Sequence, residues 1–163
     1  MEPVLRAATS ADAGTVAEIW HSGWHDVHPG HVPDGLTAGR TLEAFQARAP
    51  RRVDDTTVAE VDGAVVGFVM VTGDEVEQVY VAAEARGTGV APTLLAEAER
   101  QVAADGHDVA WLAVARGNAM ARRFYEKRGW VDEGDLDYHV EAGGTPYISP
   151  CRRYTRRVRR DPA

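Results

Sequence analysis

The segment that most narrows the fold lies near the middle of the chain. A strand-forming run ends in Val79-Tyr80-Val81, the loop Arg86-Gly87-Thr88-Gly89 follows, and from Pro92 to Asp105 apolar residues recur at helical spacing. A strand that passes through two glycines into a helix aims helix-start N–H groups, and their partial positive charge, at the space before the loop. Glycines at 87 and 89 allow positive φ and close approach of the backbone to a ligand. The unit is an anion site suited to a phosphate or pyrophosphate, with Arg86 adding a cation at its mouth. The loop has neither the Gly-Lys-Ser/Thr of a P-loop nor the full Gly-x-Gly-x-x-Gly of a dinucleotide site. Taken alone, it also fits a tight strand–helix turn.

The remaining elements fall around it. Val4 to Ala8 reads as a first strand, and Thr9 or Ser10 can cap a helix running from Ala11 to Trp20. Gly23 to Pro33 reads as a loop, because glycine disfavours a helix interior. A second helix is expected over Thr37 to Ala49, with Leu42, Phe45 and Ala49 on one face and Pro50 ending it. Thr57–Val61 and Ala64–Val71 are strands joined by Asp62-Gly63, a strong two-residue hairpin signal. Glu75 to Val81 is the next strand. Val109 to Val114 is nearly all apolar, as in a central strand covered on both faces. Asn118 can cap a helix ending before Gly129. Trp130-Val131 opens a strand, and Tyr147 to Val158 holds the last one. Hairpins followed by strand–helix alternation imply a mixed sheet with helices on both faces. No repeat or linker interrupts residues 1–163, so a single domain is expected.

Charge bounds the partners. The chain of 163 residues carries a formal charge of −7, which argues against bulk binding to nucleic acid. Residues 152–163 hold six arginines against one aspartate, a local +5, which leaves −12 on the rest. That cluster is a weak nucleic-acid signal; a last strand with a basic tail is the simpler reading. An acidic body favours cations near it. Cys151 has no partner for a disulfide and no base at a catalytic spacing, so it reads as a buried small apolar residue. No apolar run approaches the length of a membrane span, and the first residues lack a basic flank and apolar core, so cytoplasmic residence is expected.

About 30 residues after the glycine loop come Asn118 and then Tyr125-Glu126-Lys127-Arg128-Gly129-Trp130. With Arg86-Gly87-Thr88-Gly89-Val90-Ala91, this second segment resembles the two signatures of the GNAT superfamily of N-acetyltransferases: Arg/Gln-x-x-Gly-x-Gly/Ala after the fourth strand, then Asn and Tyr-Glu-x-x-Gly-Phe, here with Trp for Phe. The start, Arg6 to Asp12, is also similar. The resemblance covers nearly the whole chain and is weakest over residues 21–56. It implies an α/β (α+β) fold: a mixed, mostly antiparallel twisted sheet of six to seven strands, helices on both faces, and a splay between the fourth and fifth strands.

The resemblance further implies acetyl-coenzyme A as co-substrate and direct transfer to a primary amine of a small molecule or peptide, without an acyl-enzyme. The pyrophosphate would sit on the amides of Gly87, Gly89 and Ala91, within the loop that also contains Thr88 and Val90, with Arg86 near. The pantetheine arm would pair like a strand with Val79 and Val81, and with Asn118. An N–H near Val79 or Tyr80 would polarise the thioester carbonyl. Tyr125 would be the general acid. Glu77 is the chosen proton acceptor, with Glu75 or a water chain as alternatives. Some relatives use a glutamate on the fifth strand, but here that position is Ala113. Trp24, His25 and His28 would line the amine site. His21 and His25, four apart, could pair on a metal, but Gly23 and the lack of a glutamate ligand speak against it, so no metal is expected. Members often dimerise. A non-catalytic acyl-coenzyme A sensor is the alternative function.

Overall fold

Asp62-Gly63 turns the chain as its sequence demands, both residues at positive φ (53° and 80°), and the hairpin it closes begins a seven-stranded sheet. The computed structural model describes residues 2–159. The strands are β1 (Val4–Ala7), β2 (Thr56–Val61), β3 (Ala64–Thr72), β4 (Glu75–Val81), β5 (Val109–Ala115), β6 (Val131–Ala142) and β7 (Thr145–Arg157). Their order is β1-β2-β3-β4-β5-β7-β6, and every neighbour is antiparallel except β4 and β5.

Helices α1 (Ala13–Val27), α2 (Asp34–Gly39) and α3 (Leu42–Arg48) belong to one core, and α4 (Val90–Ala104) and α5 (Ala119–Lys127) to the other. Trp20, Phe45 and Phe68 fill the first, fully buried. Leu94, Leu95, Leu112 and Tyr154 fill the second. Asn118 caps α5, its side chain accepting from the Ala121 N–H at 3.1 Å. Cys151 is buried on β7. No helix among the described residues is long and apolar enough to cross a membrane.

Two expectations need correction. The first helix does not stop before Gly23; α1 runs on to Val27. Gly23 is there because a Cβ would lie 2.3 Å from Cδ1 of Tyr80. Only a glycine lets α1 settle against that ring, and the packing outweighs the weak helix propensity. The expected single helix over 37–49 is two short ones, broken at Arg40-Thr41, where Thr41 caps α3 through its hydroxyl.

The arginines near the end are built into the sheet. Arg152 pairs with Asp132 and Asp135, Arg156 with Glu99, and Arg153 lies over the Trp111 ring at 4.6 Å. Arg160 and the rest of the expected tail lie outside the described residues.

Candidate active site

The two halves of the sheet barely touch. β4 and β5 share a single register pair, Glu75 with Trp111, after which β4 stays on β3 and β5 stays on β7. From residue 76 to 81 the free side of β4 therefore faces a gap. A bulge helps to open it: Met70 pairs with Gln78 but Val71 with Val76, so Glu77 is an extra residue on β4.

Below the gap lies the glycine loop. Gly87 and Gly89 adopt φ of 76° and 91°. A Cβ on either would meet nothing within 4 Å, so positive φ, and not crowding, is what demands glycine here. Among the described residues, the N–H groups of residues 87–91 have no hydrogen-bond partner. The Thr88 hydroxyl donates to the Ala85 carbonyl and holds the loop turned. A hollow of about 390 Å³ adjoins it, lined by Arg86, Gly87, Gly89, Ala91, Phe124 and Arg128. Arg86 is exposed and paired with Asp26 at 2.5 Å.

Above the gap is a larger cavity of about 750 Å³. Val79, Tyr80, Asn118 and Tyr125 line it, as do Trp24, His28, Glu75 and Glu77. Tyr125 is 8 % exposed, and burial pushes its phenol up to about 12. Trp24 and His28 stack with ring centres 4.4 Å apart. Burial holds His28 down to about 4, so its ring is neutral, with Nδ1 2.9 Å from the Trp24 carbonyl. His25 does not line the cavity; its Nε2 lies 2.5 Å from the Arg40 carbonyl oxygen, and it packs beside His21.

The two candidate carboxylates differ. Arg52 grips Glu77 with two donors, at 2.7 and 2.8 Å, and the Thr72 hydroxyl adds a third at 3.1 Å. Burial opposes ionisation of Glu77, but the Arg52 bonds and charge outweigh it and the carboxyl sits below its usual range. Glu75 receives one hydrogen bond, from the Tyr138 hydroxyl at 2.5 Å. Burial dominates there and raises its pKa, the Tyr138 bond opposing. Sequence reading missed Arg52 and Tyr138, since both reach the site from distant elements and neither falls in a motif.

The family model described as "Acetyltransferase (GNAT) family" matches residues 18–130. The chain belongs to the GNAT acetyltransferase family. An uncharacterized N-acetyltransferase of Mycobacterium tuberculosis is 31% identical over 123 residues, 71% of this chain and 78% of the relative. Solved structures share the fold. A GCN5-related N-acetyltransferase from Rhodopseudomonas palustris superposes with a TM-score of 0.78 at 22% identity, covering 96% of both chains. PaiA N-acetyltransferase from Thermoplasma acidophilum, solved in complex with coenzyme A, gives 0.73 at 20% identity over 96% of this chain and 99% of that one. YncA of Salmonella typhimurium, a putative acetyltransferase by its description, was solved with acetyl-CoA; it gives 0.70 at 19% identity over 100% and 98%.

Proposed function

We propose that this acetyltransferase moves the acetyl group of acetyl-coenzyme A directly onto the nitrogen of an amine-bearing small molecule or peptide. The observation that carries the reading is the gap beside β4, with unpartnered loop amides at one end and a buried, protonated phenol in the cavity at the other. The coenzyme A complex of PaiA and the acetyl-CoA complex of YncA support the same ligand here.

The residues present fit that ligand. The amides of Gly87, Thr88, Gly89, Val90 and Ala91 would hold the pyrophosphate, with Arg86 and Arg128 as the nearby cations. The open side of β4 at Val79 to Val81 offers backbone groups to the pantetheine amides, as to a missing strand. Asn118 spends its oxygen on the Ala121 N–H and keeps its NH₂ for the ligand. The bound thioester supplies an activated acetyl group.

Proton handling falls to the protein. The amine loses a proton as the N–C bond forms, and the departing sulfur gains one as the C–S bond breaks. Tyr125 keeps its proton at any working pH and is the group to hand it to sulfur. For the amine's proton we choose Glu75 over the initially expected Glu77. A carboxylate held by an arginine fork is a poor base, whereas one raised by burial is a better one.

Release of coenzyme A thiol, measured over a panel of amines, tests the roles. Tyr125→Phe and Glu75→Gln should each lower kcat by about a hundredfold or more, with coenzyme A affinity unchanged by calorimetry. Wild-type rates in both variants would sink the assignments, and tight coenzyme A binding without turnover of any amine would leave a sensor.

A further inference from the structure

The cavity wall opposite the glycine loop is cationic without matching acids. Arg40 follows α2, and its backbone is pinned on both sides: its N–H donates to the Leu36 and Thr37 carbonyls, and its carbonyl meets His25 Nε2. The side chain is 6 % exposed and lines the cavity. Its Nε is buried with no hydrogen-bond partner, and among the described residues its guanidinium has no ion pair. Arginine cannot escape by losing its proton. A cation so enclosed is costly unless something anionic meets it.

Two more arginines line the same cavity. Arg48 is half-buried, its guanidinium 4.3 Å over the Trp20 ring and 5.5 Å over Phe45. Burial, and then the charge of Arg40, hold it down to about 10. Arg51 is exposed and has no ion pair among the described residues. The cavity's carboxylates answer these charges only in part: Glu77 acts on Arg48 from a distance, and none pairs with Arg40. Glu77 is taken by Arg52, Glu75 accepts from Tyr138, and Glu141 is exposed on β6 without an ion pair among the described residues. Arg40 and Arg48 line the same cavity as Tyr80 and Tyr125, the residues of its reacting end. Trp24 and Leu36 supply apolar wall beside them.

We propose that the acceptor is an amino acid or a similar amine bearing a carboxylate, whose carboxylate is received by Arg40 with Arg48 beside it and whose apolar side chain lies against Trp24 and Leu36. The inference rests on the acetyl-transfer reading and narrows its acceptor. A planar guanidinium fork suits a carboxylate. The net acidic body favours cationic ligands at long range, but inside the cavity the adjacent unpaired arginines outweigh it, because charges beyond about 10 Å are screened by salt.

Matched pairs test it: leucine against isoamylamine, phenylalanine against phenethylamine, and methionine against its decarboxylated amine. In each pair the acid should have the higher kcat/KM by about ten- to a hundredfold, the worth of a charge-assisted contact. Arg40→Gln should erase that preference by raising KM for the acids alone. A second readout needs no turnover. N-acetylleucine should raise the melting temperature of the protein without coenzyme A, N-acetylleucinamide should not, and Arg40→Gln should abolish the difference. If Arg40→Gln does not fold, Arg48→Gln and the wild-type pair comparison still decide. Coenzyme A binding with acids and amines behaving alike overturns the carboxylate proposal and leaves acetyl transfer standing. No coenzyme A binding by calorimetry overturns the acetyl-transfer reading itself.

Discussion

Glu75 and Glu77 sit two positions apart on β4, line one cavity, and are fitted for different work. Glu77 is a clamp. It holds Arg52 against the strand, and with Asp55 and Thr72 it fixes the turn that leads from α3 into β2. Glu77→Gln should therefore cost about 1–3 kcal/mol near neutral pH, because half-buried Arg52 loses its two-donor carboxylate partner and keeps only Asp55. The folded pKa of Glu77 is depressed. Its contribution is present above the unfolded value, about 4.3, and is lost as pH falls through the folded one. Urea titrations of wild type and variant at neutral pH and near pH 3 check this: the difference between the two should be smaller at the lower pH. Glu75 predicts a kinetic signature. Its carboxyl is raised by burial and held back by the Tyr138 bond. The acidic limb of the kcat/KM profile should lie above the ordinary glutamate range, and Tyr138→Phe should move it higher still. A limb that shifts downward, or not at all, would take Glu75 out of the proton path. Neither role was readable from the sequence, where the two glutamates look alike. What separates them is an arginine 25 residues away and a tyrosine 63 residues away.

At the scale of elements, legibility followed how local the cause was. Asp62-Gly63, the Asn118 cap and the glycine loop act through their own backbone, and each stands where the sequence puts it. The course of α1 depends on a ring from β4. Glycine weakens a helix by about 1 kcal/mol, and reading that locally stopped the helix too early. In the folded chain Trp20, Gly23 and Trp24 are all buried, and the Tyr80 ring occupies the space a side chain at 23 would need. Gly23→Ala should therefore destabilise by about 1–3 kcal/mol through overpacking, even though alanine is the better helix former. Tyr80→Leu, which removes the ring, should relieve most of that penalty in a double-mutant cycle. A simple gain in melting temperature for Gly23→Ala would mean that propensity and not contact rules this helix. The β6–β7 hairpin was under-read for a related reason. β6 alternates polar residues with Leu136, Tyr138 and Val140, and its Asp132 and Asp135 pair with Arg152 of β7, within the expected last strand, a pairing across the hairpin that charge counting does not show.

The molecule as a whole is a sheet with a weak seam. Four strands lie on one side and three on the other, β4 and β5 meet at one register pair, and α4 packs across β3, β4 and β5 to hold the halves together. On the proposed reading, the seam is what would let residues of the loop, β4 and α5 face a single ligand. A ligand that hydrogen-bonds along the open side of β4 would complete the sheet, so binding and stability should be linked. At a coenzyme A concentration about a hundred times its Kd, the folded state gains about 2.7 kcal/mol, or about 5–10 °C in melting temperature for a domain of this size. Amide hydrogen exchange locates the gain. Protection should rise at Val79 to Val81 and over residues 87–91, where the free N–H groups lie, and change little in β1 and β2. Equal slowing across all strands would instead mean general stabilisation, with no strand-like pairing in the gap. Protection confined to residues 87–91 would mean that the pyrophosphate alone is held, and that the seam is a feature of the fold with no part in gripping the pantetheine.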